Sequence, residues 1–208
     1  NETDNRICQI SNIDGNFLDL EDLIKKFHSK TRNTIRKSVK SNVLISVEND
    51  QWDFLFSTHL ENMNLIGGTP KKKQFFEKLK SKFEINKEYD IYTARHNGKI
   101  ISALLVLYYG DFVEYFTPVT LSDYKNLQPM SLLIANCMLD SSRKGFKFWN
   151  WGGTWLSQDG VYKFKSRWGT ENYNYKYHIC VVNNEIYSSS KSFLLDNYYG
   201  FYIVPFNK

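Results

Sequence analysis

Apolar positions along this chain change their period several times, and each change marks an element. Residues 1–17 are polar except for Ile7-Cys8-Gln9-Ile10, which reads as a short strand. Leu18, Leu20, Leu23, Ile24 and Phe27 then form a helical stripe, carried on after a break near Ser29 by Thr31, Ile35 and Val39. Val43 to Val47 reads as a strand. Asp50 is placed to cap a helix bearing Trp52, Leu55, Phe56, Leu60 and Met63, which Gly67-Gly68 ends. Thr69-Pro70 has the form of an N-cap followed by a first helical residue. It predicts a helix that buries Phe75, Phe76, Leu79 and Phe83.

Tyr89 to Thr117 reads as a three-stranded antiparallel meander. Asn97-Gly98 is a two-residue hairpin signal, and Ile100 to Tyr109 is the apolar run of a strand buried on both faces. Glu114, in the third strand, is expected to be exposed, with service as a general base the alternative use. A loop leads to a helix that holds Pro129 in its first turn, buries Leu132, Leu133, Ile134, Cys137 and Met138, and stops at Gly145. Lys147 to Trp151 reads as a buried strand ended by Gly152-Gly153. After it, Tyr162, Phe164 and Trp168 interleave with Lys163, Lys165 and Arg167. Three cations beside a glycine-ended strand suit an anion, but the same interleaving describes an ordinary exposed strand, and the residues alone leave both readings open. Tyr173 to Val182 alternates as a further strand. Residues 185–208 read as a hairpin partner followed by a terminal helix or tail.

Charge sharpens this picture at one place. The net charge is +5, yet seven basic residues and no acidic one lie between Lys25 and Lys40. Without those seven the chain would carry −2. Arg32, Arg36 and Lys40 are four apart and share a helix face, where like charges repel. A polyanionic partner or a solvated face would each account for it. Lys71, Lys72 and Lys73 crowd the start of another helix, the wrong sign for its dipole. Cys8, Cys137 and Cys180 are odd in number and far apart, which predicts a reduced, cytoplasmic chain with no metal site. The four histidines fit no hydrolase or zinc pattern, and no apolar run is long enough for a transmembrane segment.

Two segments carry a resemblance. Trp151-Gly152-Gly153-Thr154, then Gly160-Val161-Tyr162-Lys163-Phe164-Lys165 and Trp168-Gly169, look like the C-terminal signature of the FemABX-like branch of the GNAT acyltransferases. Thr31 to Val43 resembles that branch's Arg-x-x-Ile-Arg-Lys-Ala-x-Lys-x-Gly-Val helix, with Ser38 for the Ala and Asn42 for the Gly. The resemblance implies an α+β, three-layer fold, with a central mostly antiparallel sheet flanked by helices. Residues 1–184 would be a GNAT-like acyltransferase domain and 185–208 its C-terminal extension. The sequence starts at Asn1 rather than methionine, so an upstream portion is expected, and the resemblance, to a family whose members often carry two GNAT-like halves, implies that it is a second such half.

The implied activity is transfer of an aminoacyl or acyl group to an amine of a cell-wall or envelope-glycan precursor. Lys165 would stabilise the carbonyl oxygen and Phe164 would shape the pocket. Trp151, Gly152, Gly153, Thr154, Tyr115 and Lys163 would line it. Arg32, Arg36 and Lys37 would hold a phosphate-bearing substrate, with Lys72 from the region between two helices. The expected partners are a phosphate-bearing glycan precursor at a membrane surface and tRNA, not DNA. No tightly bound cofactor is implied; the donor would be aminoacyl-tRNA or acyl-CoA. Acyl-CoA enzymes of this superfamily cradle pyrophosphate on a glycine-rich loop, whereas Pro118 to Met130 has no glycine and Pro129 lacks an N–H. That tilts the expectation towards an aminoacyl donor. The alternatives are an acetyl-CoA-dependent N-acetyltransferase acting on an amino sugar or other small amine, and a non-catalytic RNA- or anionic-glycan-binding module.

Overall fold

A computed structural model describes residues 2–155, 158–182 and 184–198. The strands are β1 (Glu2–Asn12), β2 (Leu44–Val47), β3 (Tyr89–His96), β4 (Lys99–Tyr109), β5 (Phe112–Thr120), β6 (Phe148–Trp155) and β7 (Thr170–Ile179). They form one sheet in the order β2-β3-β4-β5-β6-β1-β7. Every pairing is antiparallel except β5 with β6, which run parallel and pair only from Phe112 to Glu114 against Phe148 to Asn150. Beyond that point the two strands part, and the gap lies in mid-sheet.

Helices cover both faces, as the two apolar periods require. On one face lie α1 (Leu20–Ile24), α2 (Ser29–Lys40) and α5 (Pro129–Arg143), over a core that holds Ile35, Leu133, Trp149, Trp151 and Trp168. On the other lie α3 (Trp52–Leu65) and α4 (Lys73–Lys82), over a smaller core around Leu55, Phe76, Ile91 and Leu105. A 3-10 turn (Ser122–Leu127) leads from β5 to α5. Next come α6 (Asp159–Ser166), which packs on β6 and β7, and the short helices α7 (Glu185–Ser188) and α8 (Lys191–Asn197).

Several expectations change here. The four-residue strand at Ile7 is an eleven-residue strand between β6 and β7. The basic alternation after Gly160 is a helix, because only Lys165 and Trp168 turn inward and their spacing is helical. Thr69-Pro70 precedes α4 without starting it: the Lys71 N–H is held by His59 Nε2 at 3.0 Å, and Lys72 becomes the N-cap. Phe76 and Leu79 are buried in α4, but Phe75 and Phe83 stay about 40 % exposed. Gln51, not Asp50, caps α3. Glu185 begins a helix rather than a hairpin partner. The expected tail over residues 199–208 lies outside the described residues.

One buried relay ties β1 to the rest. Trp151 Nε1 donates to Ser11 Oγ at 2.9 Å, and Ser11 Oγ donates to the Trp168 carbonyl at 2.9 Å. Ser11→Ala leaves a buried donor and a buried acceptor without partners, so unfolding in urea should report a loss of about 1–3 kcal/mol.

Candidate active site

The strands that border the gap both bulge at its mouth. In β6, Trp151 and Gly152 together oppose Gln9 alone, since Cys8 faces Gly153 and Ile10 faces Asn150. Gly152 takes φ +70°, a conformation natural to glycine in such a bulge. The paired glycines therefore do not end the strand; they bend it, and β6 runs on to Trp155 with Thr154 turned inward. In β5, Phe116 is the extra residue, between Tyr115 and Thr117, which pair with Val106 and Leu105. Bulges on both sides re-aim the side chains just where the strands separate.

Lys165, from α6, is only 7 % exposed. Its Nζ donates to Thr154 Oγ1 at 2.8 Å and to the Gly152 carbonyl at 3.2 Å. An ammonium has three N–H groups, so one remains for a third acceptor. Burial pushes this ammonium down from its ordinary value, against the pull of Cys8 and Glu114.

Glu114 comes to Gly152 from β5. A Cβ on Gly152 would lie 3.4 Å from Glu114 Oε1, so a side chain at that position would crowd the carboxyl. Glu114 is half-buried, in contrast to the exposed residue that strand alternation predicts. Burial pushes its carboxyl up to about 7, against the charge of Lys165 and a hydrogen bond to Asn150. Asn150 Oδ1 in turn accepts from the Gly152 N–H at 2.9 Å and from the Cys8 thiol at 3.3 Å. Burial and the Glu114 charge push the Cys8 thiol up, which keeps it protonated. A carboxyl that titrates near neutrality thus shares one glycine with a caged ammonium.

Two depressions flank this point. On the α2–α5 side, a cleft of about 150 Å³ is lined by Lys30, Thr31, Gln128, Ser131, Phe164 and Arg167, among others. On the α3–α4 side, a groove of about 460 Å³ has Glu114 and Asn150 in its wall.

The predicted residues divide accordingly. Trp151, Gly152, Thr154, Phe164 and Lys165 come together, with the Phe164 ring on Trp151 and Tyr115 on Trp151 at 5.1 Å. Gly153 faces away and admits the Tyr175 ring, which a Cβ would meet at 2.7 Å. Lys163 is exposed on α6. The basic helix is largely committed within the protein. Arg36 makes two hydrogen bonds to Glu21, and Arg32 Nη1 donates to the Phe27 carbonyl at 2.6 Å. Lys37 is exposed. From that helix it is Lys30 that lines the cleft, joined by Arg167. Lys72 is exposed, whereas Lys71 turns inward, with Nζ 3.5 Å from Thr117 Oγ1 and 5.0 Å from the centre of the Phe116 ring.

A parallel strand pair thus splays in mid-sheet, with an acid and a cation at the point of divergence. The profile of the acetyltransferase (GNAT) domain family matches residues 25–177, and the chain belongs to that family. Its structural neighbours include a crystal structure of FemX, at 13 % identity and a TM-score of 0.74 over 88 % of this chain and 63 % of that one. They also include the C-terminal domain of a putative lysylphosphatidylglycerol synthetase from Agrobacterium fabrum, with 12 % identity, a TM-score of 0.59 and coverage of 84 % and 60 %. A third is an aminoglycoside acetyltransferase from an uncultured soil metagenomic sample, crystallised with sisomicin: 14 % identity, a TM-score of 0.50, and coverage of 70 % and 99 %. No curated protein matches the chain. The chain spans about 60 % of the length of the first two neighbours. These likenesses share the fold that the resemblance implied. No helix among the described residues is long and apolar enough to cross a membrane.

Proposed function

We propose that this chain transfers an acyl or aminoacyl group from a phosphate-bearing donor to the amine of a cell-envelope precursor. The observation that carries the reading is the pairing of Glu114 and Lys165 at Gly152. The amine nitrogen attacks the donor carbonyl, a C–N bond forms, and the ester or thioester bond breaks. Glu114 takes the proton that the nitrogen loses, while the free N–H of Lys165 meets the developing oxyanion. The proton on Glu114 then returns to the leaving oxygen or sulfur. Gly152 and Thr154 hold Lys165 in place, and Phe164 and Tyr115, packed on Trp151, keep water from the carbonyl.

Lys30 and Arg167 line the cleft at the start of α5 and are the cations that would meet the donor's phosphate. Arg32, Lys37 and Lys163 extend the positive field beyond it, while the charge of Arg36 is offset by Glu21. The backbone there suits pyrophosphate poorly. Gln128 is left-handed, Pro129 has no N–H, and the Ser131 N–H is taken by the Gln128 carbonyl. This favours the terminal nucleotide of an aminoacyl-tRNA over coenzyme A. Lys71, with Lys72 beside it, is placed to meet a phosphate on the acceptor's far portion.

Lys30→Glu and Arg167→Glu should each weaken donor binding at least tenfold, with the difference shrinking as salt rises. Filter binding with charged tRNA, run beside calorimetry with acetyl-CoA, checks both points. Micromolar acetyl-CoA binding with no tRNA binding would make this an acetyl-CoA-dependent N-acetyltransferase acting on an amino sugar or another small amine.

A further inference from the structure

The groove on the α3–α4 side is lined unlike the rest of the surface. Its walls are Phe83, Leu107, Tyr109 and Phe112. Phe112 is 39 % exposed and Tyr109 89 % exposed, so large rings stand open to water beside the catalytic carboxyl. Phe112 is braced by the Phe148 ring, stacked at 5.0 Å. Tyr108, deeper in, stacks on Phe146 at 4.8 Å, and its hydroxyl donates to Asp90. Phe112 and Tyr108 are thus held in place by their neighbours.

The charges in the groove have one sign. Among the described residues, Glu88 and Glu114 are its only carboxylates, and no lysine or arginine lines it. Glu88 Oε2 accepts the Glu84 N–H at 2.7 Å, which fixes that carboxylate in place. The cleft on the other side of Gly152 is the reverse, with Lys30 and Arg167 and no carboxylate. The gap thus separates a cationic side from an anionic one.

We infer that this groove binds the acceptor as a primary amine on an alkyl or aryl stem, with no anionic group on the stem itself. The inference rests on the acyl-transfer reading for Glu114 as the proton acceptor. A simple alkylamine arrives protonated at neutral pH and sheds that first proton to water before its nitrogen attacks. Its charge is drawn to Glu114, while Phe112, Leu107 and Tyr109 cover the stem. A volume of about 460 Å³ accommodates a phenyl ring or a six-carbon chain behind the nitrogen. A carboxylate or phosphate on the same stem would meet Glu88 and find no cation. A sugar ring presents less apolar surface than a phenyl ring or a hexyl chain and so gains less from Phe83, Leu107 and Phe112.

Calorimetry on the whole chain without donor tests this, using phenethylamine, hexylamine, 6-aminohexanoate and glucosamine. Phenethylamine and hexylamine should bind at least tenfold more tightly than glucosamine, and hexylamine at least tenfold more tightly than 6-aminohexanoate. Tyr109→Ser and Phe112→Ser change exposed rings and leave the core intact. Each should weaken phenethylamine severalfold and leave glucosamine unchanged. Glu88→Lys should remove the preference for hexylamine over 6-aminohexanoate. Equal affinity for glucosamine and phenethylamine, or affinities untouched by all three substitutions, would overturn the assignment. Because no donor is present, the result is independent of the chemistry. Amine binding with the expected pattern but no transfer from either donor would retain the groove and sink the acyl-transfer reading.

Discussion

Glu114→Gln should lower kcat by about 10²–10⁴-fold, the range for losing a positioned general base. Glutamine keeps the size of the side chain and can still bond Asn150, so donor affinity should change only a few-fold, whereas the protonated amine, which loses its countercharge in the groove, should bind more weakly. The pH profile separates this role from a structural one. Glu114 must be ionised to accept a proton, and its carboxyl lies at about 7. In the natural chain kcat should therefore climb about tenfold per pH unit below 7 and level off above it. In the glutamine variant that inflection should vanish. Stability should shift in the opposite sense. The folded value stands above the ordinary 4.5, so the carboxyl's burial is tolerated below about pH 4.5 and increasingly penalised as pH rises through 7. Glu114→Gln should thus be stabilised relative to the natural chain at pH 9 and not at pH 4, as read by thermal melting at both. A kcat that survives the substitution would remove Glu114 from the mechanism.

Lys165→Met has the second largest expected effect, a loss of about 10²–10³-fold in kcat, as for removal of one oxyanion donor. Methionine retains the apolar stem that fills the space above Gly152. The lost ammonium leaves Thr154 Oγ1 and the Gly152 carbonyl without their donor, and a concurrent stability loss of about 1–3 kcal/mol should appear in urea. The two losses are separable. Thr154→Val removes one of the lysine's partners but keeps the charge, so it should lower stability with a much smaller effect on kcat. If Lys165→Met and Thr154→Val reduce turnover equally, the lysine is a structural strut rather than an oxyanion donor.

Much of the fold was legible from pattern. The Asn97-Gly98 hairpin, the unbroken run of β4 and the Pro129-to-Gly145 limits of α5 follow from local chemistry that tertiary contacts do not override. The lysine of the Phe164-Lys165 pair was legible through its resemblance. The acid was harder to see. Alternation along β5 treats Glu114 as a residue on an outer strand, and says nothing of β6 arriving beside it from 36 residues further on, Asn150 against Glu114. The bulge at Gly152 was hidden for the same reason: two glycines look like a strand end until a partner strand requires one extra residue. Helical spacing correctly put Arg32 and Arg36 on one face. It could not show Glu21 opposite Arg36, because that pairing joins two helices whose crossing is set by the core beneath. Asn150 and Cys8 carried no signal at all, since an asparagine within an aromatic strand and a lone cysteine fit many bland environments.

The position of β1 bears on how the protein comes into being. The first of the described strands to be made is held between the last two, with Ser11 opposite Thr170 and Trp149, and Glu2 opposite Ile179. On the ribosome, residues 2–12 must wait unpaired while more than a hundred others emerge, and the β2-to-β5 meander can form without them. Gly152, Thr154 and Lys165 are synthesised late, and the strand that braces them docks later still. The nascent chain can therefore be largely folded and still lack the arrangement around Gly152. Activity should appear during refolding as a late phase, after most of the secondary structure has formed.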